Sequence, residues 1–405
     1  MAADKQDKVL NFSSEREQSG ACSSSAEREK NQGKNFLNVP TLRFPEFSGE
    51  WEKTKLSEVC HIATGNKNTQ DKDDNGQYPF YVRSQHIEHI NSWTYDGEAI
   101  LTAGDGVGVG KVFHYSKGKI GIHQRVYILN DFKCDGKFLF YYFSGHFYDR
   151  VKRMSAKNSV DSVRMEMIAN MNFIYPRRGE QTKIGHLFSL LDERIETQIR
   201  IIKDLKSLSD VICERLYNPS EKDSWQTYKY ADLFSISNER NSKLQYTNVL
   251  SASQEYGMIE RNELNIDIKF EASSIKNYKI VRPNQYVIHL RSFQGGFAYS
   301  DKTGVCSPAY TILVPNEKIS PAFLKYYFTS KKFIDSLRIV TYGIRDGRSI
   351  SVEEFLQLKA VIPDVAHQQH IVQVMQLWEE KIRTEEKCLS KLQKQKKYLL
   401  SSMFI

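Results

Sequence analysis

The 405-residue chain is 40% hydrophobic, with a formal net charge of +8 and a sequence pI of about 8.9. That is enough apolar mass for two ordinary domains, and the basic balance favours a polyanionic partner. No apolar run approaches a membrane span, and the six cysteines (Cys22, Cys60, Cys134, Cys213, Cys306, Cys388) stand singly, which excludes a C-x-x-C zinc or redox site; a soluble protein of a reduced cytoplasm is expected.

Residues 1–40 are polar and serine-rich, and cannot bury enough apolar surface to offset the cost of ordering, so they are expected to form a disordered tail. Order should begin near "LRFPEFSGEW", anchored by Phe44, Phe47 and Trp51. A first mixed domain is expected over 41–180, with short strand-like runs such as "QYPFYVRS" and an aromatic amphipathic helix in "GKFLFYYFSGHFYDRVKRM".

Within it, "TAGDGVGVGK" (102–111) invites comparison with phosphate-binding loops. A P-loop would need glycine where Asp105 stands and a hydroxyl where Val112 stands, and the dinucleotide fingerprint would need glycine at Lys111. Both also need a helix next, whereas a β-rich run follows around Lys117-Gly118-Lys119. The glycines therefore read as turn or bulge chemistry in a hairpin.

A long helix is expected over 181–217, a second domain over 218–362 and a second long helix over 363–405. The second half repeats the first. "FLFYYFSGHF" at Phe138 corresponds to "FLKYYFTSKKF" at Phe323, Gln181 to Gln368, Ile195 to Ile382 and Trp51 to Trp225, with offsets of 174 to 187. Two copies are too few for a solenoid and imply a pseudo-twofold molecule. The second copy of the aromatic helix is expected in "SPAFLKYYFTSKKFIDSLRIV".

Both long helices carry heptad seams stepping by 4 and 3. The first runs Ile184, Phe188, Leu191, Ile195, Gln198, Ile202, Leu205, Ser209, Ile212 and Leu216. The second runs Ile371, Met375, Trp378, Ile382, Glu385, Leu389, Leu392, Lys396, Leu399 and Met403. An antiparallel coiled coil follows, with a register expected to place Gln198 opposite Lys396, Ser209 opposite Glu385, Ile202 by Leu392 and Ile212 by Ile382. The fold class is thus α+β: two mixed α/β domains separated by two long antiparallel coiled-coil helices. Two like domains on a spacer of about 55 Å suit a long ligand with two recognition points, duplex DNA above all.

"LRFPEFSGEW", "EQTKIGHLFSLLDERIE", "HQQHIVQVMQLWEEKI" and the C-terminal "LQKQKKYLLSSMFI" resemble the specificity subunit of bacterial type I restriction-modification systems. The resemblance covers nearly everything after the tail, in the order target recognition domain, conserved spacer helix, target recognition domain, conserved spacer helix. It implies a non-catalytic reader in which each domain recognises half of a split double-stranded DNA target. It further implies two docked modification methyltransferase subunits carrying S-adenosylmethionine, and restriction/translocase subunits using ATP and Mg2+. No cofactor is expected in this chain, and its location would be the bacterial cytoplasm, nucleoid-associated through DNA.

Enzyme readings find less support. Asn218-Pro219 precedes Ser220 rather than a second proline and an aromatic, so it reads as a helix stop. Pro363-Asp364 with Glu379-Glu380-Lys381 matches a nuclease metal pattern only by placing its second element on a heptad helix. His86 and His89 lie in strand and loop. A bridging adaptor that reads no sequence remains the competing class, with a metal-dependent nuclease behind it.

Arginine and lysine suit guanine edges, and asparagine and glutamine suit adenine edges. In the first domain the DNA-contact candidates are Asn66, Lys67, Asn68, Arg83, Ser84, Gln85, His86, Lys111, His123, Gln124 and Arg125. In the second they are Arg240, Asn241, Lys243, Ser253, Gln254, Arg291, Ser292, Gln294, Arg345 and Arg348.

Overall fold

The computed structural model describes residues 38–106, 108–154, 162–218, 225–253, 256–261, 272–289, 296–337, 341–342 and 349–405. Most of the expected tail, residues 1–37, lies outside them. Among the described residues, the Asn38 carbonyl already accepts from Trp51 N at 2.8 Å.

The first domain is built on a six-stranded sheet. In spatial order the strands are His61–Thr64, Val126–Asn130, Tyr95–Ala103, Phe113–Ile122, Tyr78–Tyr81 and Glu88–Ile90. All pairings are antiparallel except Tyr78–Tyr81 against Phe113–Ile122. Gly118 does not turn the chain: it lies inside the Phe113–Ile122 strand, opposite Gly97, with φ at +104°. The hairpin loop is instead the glycine-rich stretch itself, with Gly106 and Gly110 in the left-handed region that glycine tolerates. Helix Gly136–Met154 covers the sheet, and Phe138, Leu139, Phe143 and Phe147 are fully buried beneath it.

The second domain repeats the plan with shorter strands: Phe234–Ser237, Thr311–Pro315, Tyr286–Ile288 and Phe297–Tyr299, in that spatial order. Its aromatic segment departs from the first copy, forming two short helices, Phe323–Tyr327 and Lys331–Ser336, instead of one. The break has a local cause. Thr329 and Ser330 hydroxyls donate to the carbonyls of Tyr326 and Tyr327, and Ser330 Oγ caps the next helix by accepting from Phe333 N.

Each domain hands over to its long helix through a two-stranded ribbon: Glu52–Lys55 with Asn172–Tyr175, and Gln226–Lys229 with Lys359–Ile362. The spacer helices are Arg178–Leu216 and Val365–Met403, each of 39 residues and so about 58 Å long. Asp364 caps the second, accepting from His367 N at 2.8 Å.

The two helices run antiparallel, and all twenty seam residues are buried or half-buried. The register differs from the expected one. Gln198 Nε2 donates to Glu385 Oε2 at 2.6 Å, and Lys396 pairs with Asp192, so Gln198 does not face Lys396. Gln198 and Glu385 are equivalent positions of the two copies, so their contact marks the pseudo-twofold axis. An amide and a carboxylate satisfy each other there, while the long Lys396 side chain reaches a carboxylate flanking the seam.

Each spacer helix begins in one domain and ends in the other. Ile184 and Phe188 start the first helix inside the first-domain core, and Cys213 and Tyr217 end it inside the second. Conversely Ile371, Val372 and Met375 belong to the second core, while Met403 and Phe404 belong to the first. Phe404 lies 5.2 Å from Phe138, and its equivalent Tyr217 lies 5.1 Å from Phe323.

Candidate nucleic-acid interface

The strands of the first domain bring three candidate segments to one end of the sheet. Asn66 N and Lys67 N donate to Ile122 O, and Gln124 N donates to Lys67 O at 2.8 Å, which zips residues 66–68 to residues 122–124. His123 N donates to Tyr81 O at 3.0 Å, drawing in the segment that carries Arg83, Ser84, Gln85 and His86. The glycine-rich loop closes over this end. A Cβ on Gly108 would stand 2.3 Å from Arg83 O, so only glycine permits that approach.

The side chains of Asn66, Arg83, Ser84, Gln85, His86, Gln124 and Arg125 remain exposed, while Lys67 and Asn68 are half-buried. Asn68 N donates to Asp71 Oδ2 at 2.7 Å, fixing the bend beneath them. Lys111 is exposed, its ammonium 5.5 Å from the centre of the Tyr148 ring on the covering helix.

His123 differs from these neighbours. It is buried, its Nδ1 accepts from Arg125 N at 3.0 Å, and its Nε2 lies 3.3 Å from Thr69 Oγ1. It holds the bend that presents Gln124 and Arg125. Sequence reasoning also overlooked His114, buried on the Phe113–Ile122 strand, whose Nε2–H donates to Ser84 O at 3.1 Å. Histidine alternating with aromatics along a strand was the available signal.

Burial lowers both imidazoles from the ordinary value of 6.5. The unfolded chain therefore binds protons at higher pH than the folded one. The stability contributed by these neutral rings is complete above about pH 6.5 and is lost as pH falls from there through the lower folded values. Thermal melts across this range should show the wild type losing more Tm on acidification than His114→Asn. Equal losses in the two proteins would dismiss the effect.

In the second domain, Asn241 is likewise buried, and its amide bonds both ways with the backbone of Tyr246. Arg240 and Lys243 flank it and are exposed. Ser253 is half-buried at the tip of the Leu250–Ser253 and Gly257–Glu260 hairpin, accepting from Tyr256 N. Gln254, Arg291, Ser292, Gln294, Arg345 and Arg348 lie outside the described residues.

The nuclease pattern does not assemble. Asp364 and Glu379 stand fifteen residues apart on one helix, about 22 Å by helical rise. Glu379 is occupied by Lys325 and Tyr326, whose bonds hold its carboxyl below the usual range although burial alone would raise it. Lys381 is bonded to Glu385.

Sequence reasoning also gave no role to the equivalent glutamines at the helix starts. Gln181 Oε1 accepts from Asp135 N at 2.8 Å and its Nε2 donates to Pro176 O at 2.7 Å. Gln368 Oε1 accepts from Ser320 N at 2.8 Å, and its Nε2 donates to Lys318 O and Pro363 O. A second matched pair clamps each domain to its helix: Tyr141 donates to Asp192 at 2.8 Å, and Tyr326 to Glu379 at 2.7 Å. The domains are thus locked to the spacer at equivalent points.

Two related domains held at a set separation by a twofold helix pair define a two-site recognition protein. The chain matches the family described as type I restriction modification DNA specificity domain twice, over residues 48–206 and 222–394. It belongs to that family, whose specificity subunits are the non-catalytic recognition components of their systems. It is 26% identical over 205 residues to the type I restriction enzyme EcoDI specificity subunit of Escherichia coli, which covers 49% of this chain and 45% of that protein; the chain thus matches about half the length of this curated relative.

The fold is also that of the type I restriction-modification S subunit from M. genitalium, with a TM-score of 0.60 at 16% identity over 91% of this chain and 99% of that one. A structure from a study of complex assembly and conformational transition in a type I system aligns with a TM-score of 0.54 at 12% identity, covering 87% of this chain and 97% of that one. Among the described residues, no helix is long and apolar enough to cross a membrane.

Proposed function

We propose that this chain reads a bipartite double-stranded DNA target in the bacterial cytoplasm, one half through each domain, and leaves the unread gap to the spacer helices. The carrying observation is the convergence of the 66–68, 83–86 and 122–125 segments at one end of a domain whose twin is held about a helix length away. Their exposed arginine, glutamine and asparagine side chains are those that read base edges in a major groove.

Docking of two copies of one partner fits the outer faces of the spacer. Leu190 and its equivalent Leu377 are exposed, as are Val211 and its equivalent Tyr398. Apolar residues left in solvent at twofold-related places suit two modification methyltransferase subunits, which would bring S-adenosylmethionine. Restriction/translocase subunits, with ATP and Mg2+, would join that core.

Co-expression with a cognate methyltransferase subunit and mapping of methylated adenines tests this. A split motif with a fixed gap supports the reader, whereas methylation without sequence preference favours an adaptor that only bridges proteins. In the same assay Gln85→Ala should change one half of the motif and leave the other intact. A uniform loss across all sequences would mark Gln85 as a backbone contact instead.

A further inference from the structure

The glycine-rich loop carries a carboxylate between two arginines of the first domain. Asp105 Oδ1 accepts from Arg83 Nη1 at 2.9 Å, and its Oδ2 lies 3.5 Å from Arg125 Nη1. The backbone on both sides of it is held. Gly104 N donates to Arg125 O at 2.8 Å, Val163 N donates to Gly104 O at 2.7 Å, and Asp105 forms a β-bridge with Ser162. Gly106 then turns with φ at +79°, and Gly108 packs against Arg83 O. The Asp105 side chain is 26% exposed, but those of Arg83 and Arg125 are 48% and 63% exposed.

Each guanidinium has five N–H donors, and Asp105 engages one nitrogen of each, so both keep further donors on side chains that remain exposed. Two bare arginines would attract any phosphate. A carboxylate between them cuts their joint charge from +2 to +1 and repels the full charge of a phosphate more strongly than the partial charges of the guanine O6 and N7 acceptors. It also restrains two long side chains before binding, which lowers the ordering cost of a bidentate contact.

We propose that Asp105 is the positioning residue that makes Arg83 and Arg125 guanine readers of the first half-site rather than phosphate contacts. The proposal rests on the DNA-reading function proposed above and adds a specificity-determining carboxylate to it.

The test uses the full chain assembled with its methyltransferase, comparing wild type with Asp105→Asn, Asp105→Ala and Arg83→Lys. Adenine methylation is mapped, and binding to duplexes altered at each G·C pair is measured at two salt concentrations. Discrimination at one or two G·C pairs of the first half should fall roughly ten-fold or more in each variant, with the second half unchanged. The Asp105 variants should bind non-target duplex as tightly or more tightly, with a steeper salt dependence from the added phosphate contact. Arg83→Lys keeps the charge but loses the fork, so it carries the test if the loop variants fail to fold.

A wild-type motif that survives intact in the folded variants, or a loss equal on every sequence with the wild-type salt slope, overturns the role of Asp105. A wild type that methylates no split motif instead overturns the DNA-reading function itself.

Discussion

Replacing Phe404 with alanine should destabilise the chain by about 3–5 kcal/mol, the cost of emptying a buried aromatic site. The size of the effect follows from where the ring sits. Phe404 ends the second spacer helix, more than 200 residues along the chain from its ring partners Phe138 and Phe188, yet it is 6% exposed inside the first-domain core. It lies 5.2 Å from Phe138 and 5.6 Å from Phe188. Tyr217→Ala should do comparable damage to the second domain, where that ring meets Phe323 and Tyr327. Tyr398→Ala, on the exposed face of the same helix as Phe404, should stay within about 0.5 kcal/mol. Urea denaturation of the three variants measures this, and a Phe404→Ala midpoint close to that of Tyr398→Ala would refute the interlocked arrangement.

Gln368→Leu should cost about 3 kcal/mol or more. The amide is completely buried and serves three backbone groups, Ser320 N, Lys318 O and Pro363 O. Leucine fills much of the space but satisfies none of them, and each buried polar group left unpaired costs about 1–3 kcal/mol. Gln181→Leu should cost less, because Gln181 serves only Asp135 N and Pro176 O. The order of the two losses is the sharper part of this expectation. Denaturation midpoints that place Gln181→Leu below Gln368→Leu would show that these bonds do not carry the difference. Since both amides lock a domain to its helix, the weakened variants should also tolerate a broader range of gap lengths in methylation mapping.

The helix pair was legible because it rests on a short-range periodicity, and the duplication because the same strings recur 174 to 187 residues apart. A seam such as Ile184, Phe188, Leu191 and Ile195 repeats every 3.5 residues whatever it packs against. The arginines and amides of the 83–86 and 123–125 segments were visible as residue types. Their surroundings were not. His123 and Asn241 look like ligand-facing polar residues in the sequence and prove to be buried brackets for the bends beside them. Asp105 looks like a mere misfit in a phosphate loop until the fold places it between Arg83 and Arg125.

By itself, then, the amino-acid sequence determined that the chain is two copies of a mixed domain with a long heptad helix after each, and that "TAGDGVGVGK" is no nucleotide cradle. Periodicity and local stereochemistry suffice for both. Only the tertiary structure decided the helix register, the exchange of helix ends between domains and the company kept by each polar side chain. A heptad seam offers nearly equal apolar burial in several registers. The choice falls to contacts such as Gln198 with Glu385 and Lys396 with Asp192, between residues 187 and 204 positions apart and, for Asp192, off the seam altogether.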